Sequence, residues 1–496
     1  MLIRHVPLAS RTPSSKNGTA KLRPGGSVTC KEPLDTVNEP AHTDRVNPDH
    51  QRYSLDLLTS VGQSLIRRVA VAMSIGIAFV FPTCAAQGAV DPALDWPAWR
   101  GPTRDGIAAS GQNPPVQWSE TENILWKSPI PGRGHGSPTV VGDRIYLATA
   151  DRTKQTQSIL CLDRHTGKLI WQTEIHGSKA DPGKHSNSSA ASSTVACNGE
   201  QLFINFLNGG AVHTTALDLK GKVLWQQRIC NFITHQGFAA SPVLHESLVL
   251  VSADHKGGGV VAGLDRKTGK IVWSEPRPKH HNYTTPSILD AGGRTQMVMA
   301  GCNLITSLDP VTGKKLWEVD GSTEECVVTA VTDGTRIFAS GGYPRNHTVA
   351  LMADGSGRIA WQNTVRVYVP SMIQKSGHLY AVTDAGIAVC WKSDTGEELW
   401  KERLGGDFFA SPVMAGDRIY ASNVGAKTFV FEATPKDFTI LRQNQLGDEA
   451  YASPVICGNR IYLRVAKRGE QRQEVLYCIG NTAGEARQMP KGTAGR

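Results

Sequence analysis

Apolar and polar positions alternate in short runs along most of this chain, and one phrase recurs at the start of such runs. SPTVVGDRIYLA begins at Ser137, SPVMAGDRIYA at Ser411 and SPVICGNRIYL at Ser453. Alternation with a period of two predicts strands that bury one face, and a glycine between two runs supplies the positive φ of a tight turn. The phrase therefore predicts a repeated pair of antiparallel strands.

The repeated unit is longer than this phrase. From Ser137 to Ile175 a third apolar run ends at LCLD, and a D-x-x-T-G turn leads into KLIW, which predicts four short strands. Further starts lie near Ser192, Ser241, Thr285, Thr329, Pro370, Ser411 and Ser453. Eight starts predict an all-β fold, an eight-bladed β-propeller of four-stranded antiparallel blades over residues 120–482.

The eighth unit has only three predicted strands. The missing strand is found at the other end of the repeats, in NILWKSPIP, Asn123 to Pro131. A strand donated from there would close the ring and remove the exposed edges of an open stack of sheets. We therefore predict closure by an N-terminal strand.

The turns between the third and fourth strands carry a recognisable motif. CLDRHTGKLIW (from Cys161), GLDRKTGKIVW (from Gly263) and SLDPVTGKKLW (from Ser307) resemble the tryptophan-docking motif of the quinoprotein-type (PQQ-like) propeller repeat. The resemblance implies that the tryptophan of each outer strand packs against the next blade, and blade seven lacks both turn and tryptophan. The implied docking residues are Trp126, Trp171, Trp225, Trp273, Trp317, Trp361 and Trp400.

The N-terminal region is unlike the repeats. Residues 1–60 are polar and without a period, which predicts a disordered or mis-assigned extension. RRVAVAMSIGIAFVFPTCAAQ, from Arg67, has the basic pair, short apolar run and small residues of a signal peptide, predicted over residues 61–86 with cleavage near Ala85 or Ala86. An uncleaved anchor, or lipidation of Cys84, is the alternative.

Two further segments flank the predicted ring. Residues 95–119 are predicted to form an N-terminal arm, and DWPAWRGPTRDG within it resembles the WPxxxG lead-in of exported members of the repeat family. The resemblance implies a cap on the propeller through Trp96 and Trp99. The alternative is a packed arm without a ligand, in which Arg100 and Arg104 are ordinary surface charges. Residues 483–496 are predicted to be a flexible tail.

Charge and cysteine content argue against a nucleic-acid partner and against a disulfide framework. The formal net charge is +9, but no run of Lys and Arg with interleaved aromatics occurs, so a nucleic-acid partner is not expected. The 10 cysteines include no C-x-x-C and no adjacent pair, and Cys161, Cys390 and Cys478 recur at one point of the repeat. This placement predicts core packing.

The candidate site lies in the segments just before each repeated start, which frame one end of the channel, here called the mouth. These segments differ from one another, as expected of a site carried on a uniform scaffold. No H-x-H or H-E-x-x-H spacing occurs, so no metal site is predicted. The candidate ligand-binding residues are His135, His185, Asn187, His235, His281, Glu324, Tyr368 and Tyr451.

These observations lead to one favoured function and two alternatives. We expect an exported, monomeric, non-catalytic binding or assembly scaffold, similar in architecture to the propeller lipoprotein of the outer-membrane β-barrel assembly machinery. Its partner would be a protein or small polar ligand of the cell envelope, and only an uncleaved signal or lipid anchor would hold it to a membrane.

The family resemblance also suggests a PQQ-dependent quinoprotein dehydrogenase with calcium. Such enzymes resemble one another in a vicinal disulfide that this chain cannot form, because it has no adjacent cysteines. No cofactor is therefore expected. The third interpretation, a kinase-associated sensor or adaptor domain, implies no kinase activity, since no Gly-rich loop or HRD signature is present.

Overall fold

The computed structural model describes residues 89–181 and 188–482. Within them the chain is all-β, with 32 strands in eight four-stranded sheets. The predicted eight-bladed propeller is confirmed. The predicted extension, signal segment and tail lie outside the described residues. No helix in the described ranges is long and apolar enough to cross a membrane.

Each blade is a meander of four antiparallel strands, numbered from the channel outwards in seven blades. Blades 1 and 2 contain β2 (Thr139–Val141), β3 (Arg144–Asp151), β4 (Thr156–Asp163), β5 (Leu169–His176), β6 (Ala196–Cys197), β7 (Gln201–Asn208), β8 (Ala211–Asp218) and β9 (Val223–Asn231). Blades 3 and 4 contain β10 (Val243–His245), β11 (Leu248–Ala253), β12 (Val260–Asp265), β13 (Ile271–Pro276), β14 (Ser287–Ala291), β15 (Arg294–Gly301), β16 (Leu304–Leu308) and β17 (Lys315–Asp320). Blades 5 and 6 contain β18 (Val331–Thr332), β19 (Arg336–Gly341), β20 (His347–Met352), β21 (Ile359–Asn363), β22 (Ile373–Lys375), β23 (His378–Val382), β24 (Ile387–Lys392) and β25 (Glu398–Arg403). Blades 7 and 8 contain β26 (Val413–Ala415), β27 (Arg418–Ser422), β28 (Lys427–Glu432), β29 (Ile440–Gln445), β30 (Val455–Cys457), β31 (Arg460–Lys467), β32 (Gln473–Ile479) and β1 (Ile124–Ile130).

Blade 8 is closed by the N-terminal strand, as predicted. The order of its sheet is β1-β32-β31-β30, so β1 is the outermost strand and pairs antiparallel with β32. Lys127 lies opposite Tyr477, and a bulge interrupts the register between Ile124 and Trp126. The first and last parts of the ring are therefore joined in one sheet, which removes a free blade edge.

A collar of hydroxyl groups joins the blades around the channel. The backbone N–H of Ser137 donates to Thr194 Oγ1 of the next blade at 3.0 Å, and Ser453 N–H donates to Ser137 Oγ at 3.1 Å. Such bonds are charge-neutral and buried, so each satisfies a backbone donor that has no strand partner. The remaining links of this kind are Thr194 to Ser241, Ser241 to Thr285, Thr329 to Ser371, Ser371 to Ser411 and Ser411 to Ser453.

The recurring turns lie together at the far end of the blades, here called the turn face. In blade 1 the N–H of Arg164, in the D-x-x-T-G turn, donates to the carbonyl of Asp143, in the GDR turn, at 3.0 Å. The mouth and the turn face are therefore opposite ends of the ring, as antiparallel strands require.

The outer strands contact their neighbours through tryptophans. Trp126 of blade 8 donates from Nε1 to the carbonyl of Arg164 in blade 1 at 3.0 Å, and its indole covers Gly167. A Cβ at Gly167, whose φ is +70°, would lie 2.5 Å from that indole. The other docking tryptophans that donate to a carbonyl of the next blade are Trp171, Trp225, Trp361 and Trp400.

Trp273 and Trp317 dock in a different way. Trp273 covers Gly313 of the next blade, and Trp317 covers Gly355 while its Nε1 donates to Gln296 Oε1 at 2.9 Å. Both are at least nine-tenths buried. All seven tryptophans of the motif thus lie between an outer strand and the following blade.

Blade 7 has no docking tryptophan of its own, and the arm supplies one. In blades 1, 6 and 8 the docking tryptophan packs on a tyrosine of the second strand, as Trp126 does on Tyr462 at 6.2 Å between ring centroids. In blade 7 the equivalent Tyr420 packs instead on Trp118, at 6.4 Å and 15° between ring planes. Trp118 is 3% exposed, and its backbone N–H donates to Asn444 Oδ1 of β29. No motif in the sequence predicts that Trp118 takes the place of the missing docking tryptophan.

The rest of the arm crosses the channel on its turn-face side. Trp96 forms a two-way backbone bridge with Val140 of blade 1, and Ala108 N–H donates to the carbonyl of Met414 in blade 7. Arg100 is 3% exposed and donates to the carbonyls of Met372 and Pro412. Arg100 is therefore a buried crosslink, which excludes the surface-charge interpretation for that residue.

Replacing Trp118 tests its role in blade 7. We expect Trp118→Ala to lower the free energy of unfolding by about 3 kcal/mol, because a large buried side chain is lost from between two elements. Urea denaturation measures this loss. Gln117→Ala is the matched control, since Gln117 is exposed, and it should change stability by about 0.5 kcal/mol or less. Equal, small losses in both variants would contradict a docking role for Trp118.

Candidate functional site

The mouth opens into a cavity of about 780 Å³. A narrower space of about 170 Å³ continues below it to the hydroxyl collar, with Trp99 of the arm as its floor. Trp99 Nε1 donates to Thr329 Oγ1 at 2.8 Å, so the arm reaches the collar from the turn face. Aromatic and polar side chains of several blades line the cavity, among them His135, Phe238, Tyr283, Arg366, Tyr368 and Phe409.

One wall of the mouth is a hydrogen-bonded cluster from blades 3 to 6. Tyr368 donates from its hydroxyl to Glu325 Oε2 at 2.9 Å, and His235 Nδ1 lies 3.6 Å from Glu325 Oε1. Tyr283 Oη is 3.4 Å from the same His235 nitrogen. Glu325 is 5% exposed, and burial raises the pKa of its carboxyl. Burial, followed by the nearby Glu325, also raises the pKa of Tyr368.

Two more candidate residues extend this wall. His281 stacks on His235 with ring centroids 4.7 Å apart, and both of its ring nitrogens are buried without a hydrogen-bond partner among the described residues. Burial, followed by the neighbouring His235, lowers the pKa of His281 to about 4. Glu324 is directed to His280 instead, with 3.1 Å between Oε1 and Nδ1. His281 is thus held neutral, while His280 and Glu324 form a partly exposed pair.

The opposite wall is built from blades 8 and 1. His135 stacks on Tyr451 with ring centroids 4.4 Å apart, and Phe409 lies 6.0 Å from the same tyrosine. The guanidinium of Arg133 lies over the Tyr451 ring at 5.9 Å. Burial, then the positive charge of Arg133, Arg464 and Arg472, lowers the pKa of His135 well below its usual value. His135 is therefore a neutral ring in a positive field.

The structure divides the predicted site residues into these two groups. His235, His281 and Tyr368 belong to the first wall, with Glu324 at its edge, and His135 with Tyr451 forms the second. His185 and Asn187 lie outside the described residues. That these residues bind a ligand stays a prediction.

Sequence reasoning singled out too few residues in each segment. Glu325, Tyr283, Arg133 and Arg366 contribute contacts as close as those of the predicted residues. Each lies within two residues of a predicted one, in the same unrepeated segment. These residues could therefore have been found by taking each unrepeated segment as a whole, without selecting single residue types.

The arrangement favours stacking and hydrogen bonding over metal chemistry. Across residues 89–181 and 188–482, no group of three or more His, Cys, Asp or Glu side chains is placed to hold a metal ion. The walls offer aromatic faces, a buried carboxyl and imidazole nitrogens to an occupant. Such a surface suits recognition of a ligand with apolar and polar parts.

Known proteins resemble this chain in sequence. A family model described as outer membrane protein assembly factor BamB matches residues 91–234, 155–402 and 345–434. The outer membrane protein assembly factor BamB of Yersinia pestis is 23% identical over 325 residues, which cover 60% of this chain and 75% of that protein.

Solved structures share the fold. BamB from Moraxella catarrhalis has a TM-score of 0.51 at 16% identity, covering 71% of this chain and 96% of its own. Quinohemoprotein alcohol dehydrogenase from Comamonas testosteroni has a TM-score of 0.58 at 12% identity, covering 78% and 81%. At such identities the likeness shows the propeller fold alone.

The neutral state of His281 predicts a pH dependence of stability. Its pKa falls from 6.5 in the unfolded chain to about 4 in the folded protein, so the unfolded chain binds the proton more readily between these values. The contribution of neutral His281 is full above pH 6.5 and is lost as the pH falls towards 4. We expect His281→Gln to remove about 2 kcal/mol of the acid-induced loss.

Urea unfolding at about pH 7.5 and about pH 4.5 measures this difference. His165→Gln serves as the control, because His165 is exposed on the turn face. An identical pH dependence for wild type and His281→Gln would show that His281 is not held neutral by burial.

Proposed function

The chain belongs to the family described as outer membrane protein assembly factor BamB, and from this premise we propose that it is a non-catalytic scaffold whose mouth binds a protein partner. The relatives' name places their role in outer-membrane protein assembly. For this chain we propose the same setting, an exported protein of the cell envelope. The apolar run from residue 69 and its basic flank support export.

The observation that carries this proposal is the contrast between a uniform ring and an uneven mouth. The collar, the docking tryptophans and the turns repeat from blade to blade. The mouth instead carries a histidine–glutamate–tyrosine wall facing an arginine–histidine–tyrosine wall, with a cavity of about 780 Å³ between them. Large aromatic and arginine side chains around a concave surface are typical of protein recognition sites.

Two observations support a partner at the mouth in preference to the channel interior. Trp99 forms the floor of the narrow space, and the arm continues across the channel from Trp96 to Ala108. An occupant therefore enters from the mouth side. The cavity accommodates a few side chains of a partner, while the rims of neighbouring blades are available for its flanking residues.

A paired set of variants tests the proposal. Tagged protein is used to capture cross-linked partners from native envelope extract, with the double variant His235→Ala and Tyr451→Ala at the mouth. We expect capture to fall by about tenfold or more, because both side chains belong to the proposed contact surface. Quantitative mass spectrometry measures the captured proteins.

The matched control is Lys168→Ala with Lys314→Ala on the turn face. These lysines are exposed, so the control should keep its capture, and its stability should change by about 0.5 kcal/mol or less per site. Loss of capture in the turn-face pair alone would assign the partner to that face. Thermal unfolding of both double variants shows whether the fold is intact.

We further propose that this function requires no quinone. Calcium needs several oxygen ligands, and the described residues offer no cluster of acidic side chains for it. Glu325, the buried carboxyl of the mouth, is already engaged with Tyr368 and His235.

Incubation with PQQ and calcium tests this part. We expect an absorption spectrum equal to the sum of the components, and no dye-linked oxidation of alcohols or sugars. Stoichiometric binding of the quinone, together with oxidation above background, would contradict the scaffold proposal and indicate a dehydrogenase.

A further inference from the structure

The wall formed by blades 8 and 1 has more positive than negative charge. Four guanidiniums lie on or behind it, those of Arg133, Arg464, Arg468 and Arg472. The carboxylates that face them are Glu449 and Glu474, with Asp448 at the exposed end, where it accepts the backbone N–H of Arg468. Cations therefore outnumber carboxylates in this cluster.

Three of the arginines form ion pairs with two carboxylates. Arg464 and Arg472 both contact Glu474, at 2.5 and 3.0 Å. Arg468 and Arg472 contact Glu449 at 2.8 and 3.0 Å. Burial alone would raise the pKa of Glu449, but the hydrogen bonds from these arginines lower it, so this carboxyl is ionised.

Arg133 is the arginine left over. Within the described part of the chain it has no carboxylate within ion-pair distance, and its Nε is buried without a hydrogen-bond partner. Its guanidinium lies over Tyr451, and its charge, with that of Arg464 and Arg472, lowers the pKa of His135. A partly buried cation without an ion-pair partner is stabilised by an anion that brings its own charge.

His135 adds a second unsatisfied group, and its ring stacks on the same Tyr451 that Arg133 lies over. Its Nε2 is buried with no hydrogen-bond partner among the described residues, and its ring lines both the wide cavity and the narrow space. A neutral imidazole can donate one hydrogen bond from that nitrogen. Phe409, Tyr451 and Tyr283 line the same narrow space and offer aromatic surface beside the two polar groups.

We propose that Arg133, His135 and Tyr451 form a subsite for an oxyanionic group, a carboxylate or a phosphate, carried on an aromatic or apolar body. This subsite deepens the proposed function and rests on it, since it gives the chemistry of the mouth's occupant. The oxyanion accepts from Arg133 and His135. The attached body packs on Tyr451 and Phe409 in the cavity.

The opposite wall provides a matched arginine. Arg366 lines the cavity and, like Arg133, lies over a tyrosine, with its guanidinium 5.2 Å from the Tyr368 ring centroid. Unlike Arg133, it has a carboxylate partner, Asp384, at 3.7 Å. The two positions thus compare an unpaired guanidinium with a paired one, each lying over a tyrosine on one wall of the mouth.

Two fluorescent probes of nearly the same shape test the charge preference on the purified protein. 8-Anilino-1-naphthalenesulfonate carries an oxyanion, and N-phenyl-1-naphthylamine is its neutral counterpart. We expect Arg133→Gln to raise the dissociation constant of the anionic probe by about tenfold or more, because a charged hydrogen bond is lost. Arg366→Gln should change it by less than about threefold, and neither variant should alter binding of the neutral probe.

Competition identifies the oxyanion. N-acetylphenylalanine and phenyl phosphate represent the two sources, and N-acetylphenylalaninamide is the uncharged control. Displacement of the anionic probe by either anion, but not by the amide, supports the subsite and says which oxyanion it prefers. Equal displacement by the amide, or equal effects of the two arginine variants, would overturn it.

Wild-type protein provides a test that does not depend on a variant folding. Added NaCl should weaken binding of the anionic probe and leave the neutral one unchanged. Salt-independent binding of the anionic probe would contradict the subsite. These measurements use small probes, so a failure here leaves partner capture at the mouth intact, and a failure of capture leaves the probe result standing.

Discussion

The hydrogen bonds that link the blades at the hydroxyl collar are the constraint on which the rest of the structure depends. Each runs from the backbone N–H at the start of one inner strand to a Ser or Thr hydroxyl in the next blade, as from Ser453 to Ser137. They hold the starts of the inner strands at one level around the channel. The residues just before these starts must then face a common space, whatever their identity. This explains why the Ser-Pro and Thr-Pro motif at the strand starts repeats while the segments before it differ in sequence.

The two walls of the mouth contain the same residue types, histidine and tyrosine, but they differ in charge. On the first wall His235 lies close to Glu325, a carboxyl whose pKa is raised by burial, and the buried His281 stacks on His235. Around His135 the electrostatic potential is positive because of Arg133, Arg464 and Arg472, and Arg133 is the arginine without an ion pair among the described residues. The walls are therefore complementary to different parts of an occupant, with hydrogen-bonding groups on one side and positive charge on the other. A ligand that has both features is fixed in orientation as well as in position.

The sequence could predict what is local and repeated, which here means the strands, the turns and the docking tryptophans. Each of these follows from a period of two, from a glycine at a turn, or from a motif within about ten residues. It could not predict Trp118 on Tyr420, because the two lie 302 positions apart and blade 7 carries no trace of the motif. The contacts of Arg133 and Glu325 were missed for the same reason, since each depends on which blades meet across the mouth.

One continuous N-terminal segment makes up for three separate deficits of the ring. The collar bond that would run from Thr285 to Thr329 is absent among the described contacts, and Thr329 instead accepts a hydrogen bond from Trp99. Blade 7 lacks a docking tryptophan and receives Trp118. Blade 8 lacks an outer strand and receives β1. The positions served lie in blades 5, 7 and 8, so the segment ties blade 5 to two blades that do not adjoin it in the ring. Because Trp99 is also the floor below His135 and Tyr451, the shape of the mouth depends on the same segment that closes the ring.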